Sequence, residues 1–168
     1  MKILGLMEGM NEFIAEFSAF ETHFVGLLLR SLSNDELFAQ QTEALLDLEA
    51  RLKLLKRMAF VRHLDTGVIA QLDDVQRRAG KLRIRRDELR HLLPVFAKAA
   101  GKKAHPEDRE LDESESMALF AAEIEPKDLP TLQEVEECRS GTLNLEATLR
   151  SIADRFNDRA AFTDLQYP

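Results

Sequence analysis

Arg86, Asp87 and His91 stand together in the run Arg85-Arg86-Asp87-Glu88-Leu89-Arg90-His91-Leu92-Leu93-Pro94. Residues of these types can do acid–base chemistry beside an anion. An imidazole can act as base and as acid, and a guanidinium supplies positive charge to an anionic group. Asp87 precedes His91 by four residues, so on a helix it shares a face with the imidazole and could orient it and raise its pKa. The plainer alternative is a surface pair at the same spacing. On an ideal helix Arg86 and His91 point about 140° apart, five steps of about 100°, so one chain alone makes a poor site.

Six further cations surround these residues: Arg77, Arg78, Lys81, Arg83, Arg85 and Arg90. Counted with Arg86 against Asp87 and Glu88, the stretch from Arg77 to His91 carries a local balance of +5, and the other residues sum to −12 within a net charge of −7. The acid is concentrated elsewhere. Residues Glu107 to Asp128 hold nine acids and two bases. The overall balance and the pI near 5.2 argue against a chain that coats nucleic acid by bulk electrostatics. A polarised molecule with one basic strip can still attract a phosphate chain locally, although both clusters also read as ordinary solvated faces.

Other chemistries find less support. Glu88-Leu89-Arg90-His91 has the Glu-x-x-His form of four-helix iron proteins, but Phe20, Phe60 and Lys102 stand three residues before the remaining histidines, so the required second copy is missing. No metal or cofactor is expected. His23 lies among phenylalanines and reads as a core histidine; His63 reads as the end of a helix and His105 as part of a loop. There is no glycine-rich phosphate loop and no serine elbow. The single cysteine, Cys138, cannot form an internal disulfide, which agrees with a reducing compartment. The longest apolar run, Phe24 to Leu29, falls short of the ~20 residues of a bilayer span. The early apolar stretch Ile3 to Met7 is too short for a secretory leader. A cytoplasmic chain with no membrane partner is expected.

The elements that must position these residues are helical. At 168 residues with 45% hydrophobic content, the chain suffices for one domain able to bury roughly 70% of its unfolded surface. Phe13, Phe17, Phe20, Phe24 and Leu27 step by 4, 3, 4 and 3, which predicts a core helix over about 8–31, widened by Ile14, Val25 and Leu28. Ser33-Asn34-Asp35-Glu36 reads as a capping box. It opens a second helix to about Leu64 with Phe38, Gln41, Leu45, Leu48, Leu52, Leu55 and Ala59 on one face, and Thr66-Gly67 is the expected break. A third helix carries Val68, Leu72, Val75, Ala79, Leu82, Arg86, Leu89 and Leu93 until Pro94 ends it. Residues 94–130 read as an irregular acidic excursion punctuated by Pro106, Pro126 and Pro130, with one short apolar element at Met117 to Ile124. Thr131-Leu132-Gln133-Glu134 caps a last helix bearing Leu132, Val135, Leu145, Leu149, Ile152 and Phe156, which Gly141 could kink. An antiparallel bundle of four long helices forming a single domain is the expected fold.

Arg86 falls on the apolar seam of the third helix. A buried guanidinium needs a partner, and three remedies exist: an acid of the same chain, a second subunit, or an anion held in a cleft.

Arg86-Asp87-Glu88-Leu89-Arg90-His91 resembles the signature of the HEPN superfamily, an arginine, a polar residue that is often asparagine or aspartate, three residues and a histidine. The order of elements over roughly 34–156 is similar too, including the stretch Ala50-Arg51-Leu52-Lys53-Leu54-Leu55-Lys56. Arg57 to His63 matches the loose spacing a second time, but apolar Met58 follows that arginine. Where the family commonly has a small residue after the histidine, this chain has Leu92. The resemblance implies a homodimer with Arg86, Asp87 and His91 at a shared cleft. Its activity is either that of a metal-independent endoribonuclease of toxin or RNA-processing type, or that of an inactive relative kept for binding. The second reading is a non-catalytic dimeric bundle that binds a cognate protein.

Overall fold

The computed structural model describes residues 3–32, 47–102 and 129–163, and every regular element among them is a helix. α1 (Ile3–Ala19) passes through a π-helical turn (Phe20–Phe24) into α2 (Val25–Leu32). α3 (Leu48–Val61), α4 (Thr66–Lys102) and α5 (Leu132–Thr163) follow. α1 packs against both α4 and α5, these two pack against each other, and α3 packs on α4 and α2. One apolar core joins them, with Phe13, Phe17, Phe20, Leu72, Leu89, Leu145, Leu149 and Phe156 sealed inside. No described helix is long and apolar enough to cross a membrane.

The first helix departs from the even 4-3 spacing at a definite place. The Val25 amide bonds to the Phe20 carbonyl, five residues back, so the π turn inserts one extra residue. Phe13, Phe17 and Phe20 point inward as expected, but the buried face then continues through Val25, Leu29 and Leu32. Leu27, expected on that face, is 56% exposed. Phe24 is only partly buried, and His23, expected in the core, is exposed.

The second helix also differs. Asp47 is extended and its Oδ1 accepts the Ala50 amide at 2.8 Å, so α3 starts at Leu48 and no single helix runs from 34 to 64. The Ser33-Asn34-Asp35-Glu36 box, Phe38, Gln41 and Leu45 lie outside the described residues. So do His105, Pro106, Met117 to Ile124 and Pro126. The break before α4 lies at Arg62–Asp65 rather than at Thr66-Gly67. His63 takes a left-handed φ of 53°, and the His63 and Leu64 amides bond back to the carbonyls of Phe60 and Ala59, closing α3 in a Schellman turn. Asp65 Oδ1 then accepts the Val68 amide at 3.0 Å and caps α4.

Pro94 does not end α4, which continues to Lys102, so the irregular excursion cannot begin at 94. The proline removes one amide at a cost of about 3 kcal/mol or more. Pro94 is solvent-exposed, so water can satisfy the released carbonyl, and Phe96 just beyond it is 2% exposed and anchors the extension in the core. Gly141 does not interrupt α5. An added Cβ there would lie 3.4 Å from the Leu82 side chain, ordinary van der Waals contact, so Gly141 sits at the contact of α4 and α5 without being required by it. The capping box before α5 is formed as expected: the Thr131 amide donates to Glu134 Oε2 at 2.7 Å and the Glu134 amide donates to Thr131 Oγ1 at 3.1 Å.

Two measurements check this description. Leu29→Ala should cost about 2–5 kcal/mol in urea denaturation and Leu27→Ala less than about 0.5 kcal/mol; an uninterrupted α-helix through residue 24 predicts the larger loss at Leu27. The hydrogen bond from the Thr131 amide holds the Glu134 carboxyl below its ordinary value against a smaller opposing effect of burial. A carboxyl depressed in the folded state adds stability that is complete above its ordinary value, about 4.3, and is lost as pH falls through the depressed one. Glu134→Gln keeps the capping geometry, so its stability should lack that acid-side decline.

Candidate functional site

Arg86 sits where the seam of α4 meets the π turn. Its NH1 donates to Glu21 Oε2, while its Nε and NH2 lie 3.0 and 2.9 Å from Asp87 Oδ1. Its guanidinium plane covers the Phe17 ring, with the central carbon 5.5 Å from the centroid. Burial opposes the charge on Arg86, but the hydrogen bonds to Glu21 and Asp87 overcome that effect and hold its pKa above the ordinary value. Among the three remedies for a seam arginine, this chain uses an acid of its own, 65 residues away in sequence.

The π turn prepares the other half of the node. In an α-helix the Glu21 carbonyl accepts the Val25 amide; here that amide goes to Phe20 and the Glu21 carbonyl is released. Arg51 of α3 fills the gap, donating from NH1 to the Glu21 carbonyl at 2.7 Å and reaching the Thr22 carbonyl at 3.4 Å. Arg62 donates to the Leu32 carbonyl at 2.7 Å and covers the Phe156 ring, tying α3 to the end of α2. Glu21 and Arg51 are the members of this node that periodicity alone does not single out. A sequence signal for Glu21 exists: it follows Phe17 by four residues and so shares the face on which Arg86 lies.

The remaining candidate residues are dispersed. His91 is exposed and has no hydrogen bond or ion pair among the described residues. Asp87 turns its carboxylate to Arg86, not to His91. The six flanking cations do not form one surface. Arg77 and Arg78 pair with Asp74, and Arg78 also approaches Thr148 of α5. Arg85 pairs with Glu88 at 2.8 Å and reaches Glu134 of α5 at 3.7 Å. Lys81 and Arg90 are exposed, and Arg83 lines a cleft of about 350 Å³ between α3 and α4, together with Arg77, Asp73 and Glu49. Arg77 and Arg78 thus share one carboxylate and Arg85 has its own, while Lys81, Arg83 and Arg90 have no ion pair among the described residues.

Among the described residues no group of three or more His, Cys, Asp or Glu side chains converges as metal ligands. Cys138 is partly buried, and burial pushes its thiol up, away from the thiolate that a nucleophile requires. Arg139 is partly buried and bidentate on Glu16 at 2.8 and 3.0 Å, and it lies 2.8 Å from Glu12, which joins α5 to α1. Comparison with protein-family models, with curated proteins and with solved structures finds no match to this chain.

The node predicts a specific energetic pattern. Arg86 and Glu21 side chains are 14% and 19% exposed, so removing one charge strands the other in a poorly solvated place. Arg86→Met and Glu21→Leu should each cost about 2–4 kcal/mol, somewhat below the loss for a fully buried pair. The double variant should recover much of that loss, and a cycle of denaturant melts should return a coupling of about 1–3 kcal/mol. Additive losses contradict the pairing.

Proposed function

We propose that this chain is a HEPN-like antiparallel helical bundle, working as a dimer, that binds a partner protein and does not cut RNA. The observation that carries the reading is the engagement of Arg86. Three of its nitrogens lie against the carboxylates of Glu21 and Asp87 and its plane lies on Phe17, which leaves little of it to offer a phosphate. The carboxylate at motif position 87 serves the arginine and not the histidine. A composite site would have to break these contacts or draw its second arginine from the other copy.

One observation favours the endoribonuclease reading: His91 is exposed and, among the described residues, unengaged, beside exposed Arg90, as a shared cleft between two copies requires. The two readings separate on one experiment. Purified protein incubated with single-stranded RNA in EDTA should leave it intact, and cross-linking in cells should join the wild type to a different protein. His91→Ala should then change neither RNA integrity nor melting temperature. Cleavage that leaves 2′,3′-cyclic phosphate ends and falls by 10²–10⁴-fold in His91→Ala restores the nuclease. Lys81, Arg83 and Arg90 should give weak RNA binding that fades with added salt, as counterion release demands.

A further inference from the structure

On α3, residues 53, 56, 57, 60 and 61 recur at i, i+3, i+4, i+7 and i+8 and so share one face. The buried face of the same helix is a different one, through Leu48, Leu52, Leu55 and Ala59. On the shared face Phe60 is 74% exposed and Val61 72% exposed, two adjacent large apolar side chains given to water. They open onto a groove of about 560 Å³ whose other wall is Ile69 and Gln76 of α4. Its charged lining is entirely cationic: Lys53, Lys56 and Arg57. Glu49 and Asp73 hold the two lysines through exposed ion pairs, a class worth little and readily exchanged. Arg57 has no ion pair among the described residues.

We propose that this α3/α4 groove is the docking surface for an acidic amphipathic helix of a partner protein. The proposal rests on the partner-binding reading above and names where that partner sits. Charge complementarity selects the occupant: the groove's own charged side chains are basic, and although Glu49 and Asp73 pair with its two lysines, Arg57 has no carboxylate among the described residues, on a molecule of net charge −7, so an acidic segment is repelled by most of the surface and attracted here. Shape selects a helix. The α3 face from 53 to 61 is about 12 Å long at 1.5 Å per residue, the reach of anchors at i, i+3 or i+4, and i+7 on a second helix. A concave slot between two helices seats such a rod, whereas a lipid surface calls for a flat or convex apolar face.

The test uses the full chain and two fluorescein-labelled helical peptides of about 15 residues. Both have leucine at i, i+3 and i+7; one carries glutamate and the other lysine at the remaining charged positions. The acidic peptide should bind saturably, at least ~10-fold tighter than the basic one. Phe60→Asp should weaken it by ~10-fold or more, and Arg57→Glu should weaken it several-fold and flatten its salt dependence. Both side chains are exposed, so the variants should melt like the wild type. Equal binding of the two peptides, no binding, or binding unchanged in Phe60→Asp overturns the proposal. So does a preference for anionic phosphatidylglycerol vesicles, or a self-association that Phe60→Asp abolishes. If cells yield a partner that cross-links equally well to Phe60→Asp, this surface is wrong while the partner-binding reading stands; if the wild type cross-links to no partner, that reading fails by itself.

Discussion

The ion pair between Arg86 and Glu21 is the constraint around which the helices arrange themselves. A guanidinium and a carboxylate, each mostly withdrawn from water, are tolerable only while they face each other. Their meeting fixes the rotation of α4 relative to α1 and the height at which the two helices cross. Phe17 lies under the guanidinium, and Phe13, Phe20 and Phe24 continue from it as a row of rings with centroids 5.7 to 6.0 Å apart. The polar contact therefore sits at the edge of the most apolar part of the core. Displacing it exposes a charge to hydrocarbon and loosens aromatic packing together.

The π turn makes that contact possible and changes everything after it. One extra residue in the turn rotates α2 by a residue's worth of helix, so Val25, Leu29 and Leu32 replace Phe24 and Leu27 as the inward face. The turn costs a regular hydrogen bond, and Arg51 offsets that loss from α3. Arg150 of α5 covers Phe24, which the rotation has left only partly buried. Three arginines, on three different helices, thus answer three consequences of one inserted residue. π turns inside α-helices recur at functional sites; in this chain the turn organises a structural node.

Charge elsewhere is spent on holding helices together. Arg139 bridges α5 to Glu12 and Glu16 of α1, and Lys56 bridges α3 to Asp73 of α4. Arg78 and Arg85 point toward α5. A helix turns about 100° per residue, so seven cations within a stretch of α4 spread around its circumference. A dense basic run along the sequence becomes several separate contacts in space. The α3 face with Phe60 and Val61 shares only Lys56 with this bracing and carries apolar surface that the core does not use.

The amino-acid sequence by itself determined the helical class, because its apolar residues recur mainly at spacings of three and four. It also determined the cap at Thr131 and Glu134, a local pattern whose partners are three residues apart. It showed that Arg86 needed a partner, since the residue type and its seam position are both local facts. Which partner it takes was decided only by the tertiary structure: Glu21 lies on another helix, and the choice depends on how α1 and α4 cross. The same is true of the π turn, whose even 4-3 spacing through Phe24 and Leu27 reads as unbroken α-helix until Arg86 and Arg51 make the wider turn worthwhile. It is true of Pro94 as well. Its local preference is to stop a helix, and the burial of Phe96 two residues later outweighs it. Local patterns are legible because their interactions lie within a turn of the chain. The node and the groove depend on distances between helices, which only the packed core sets.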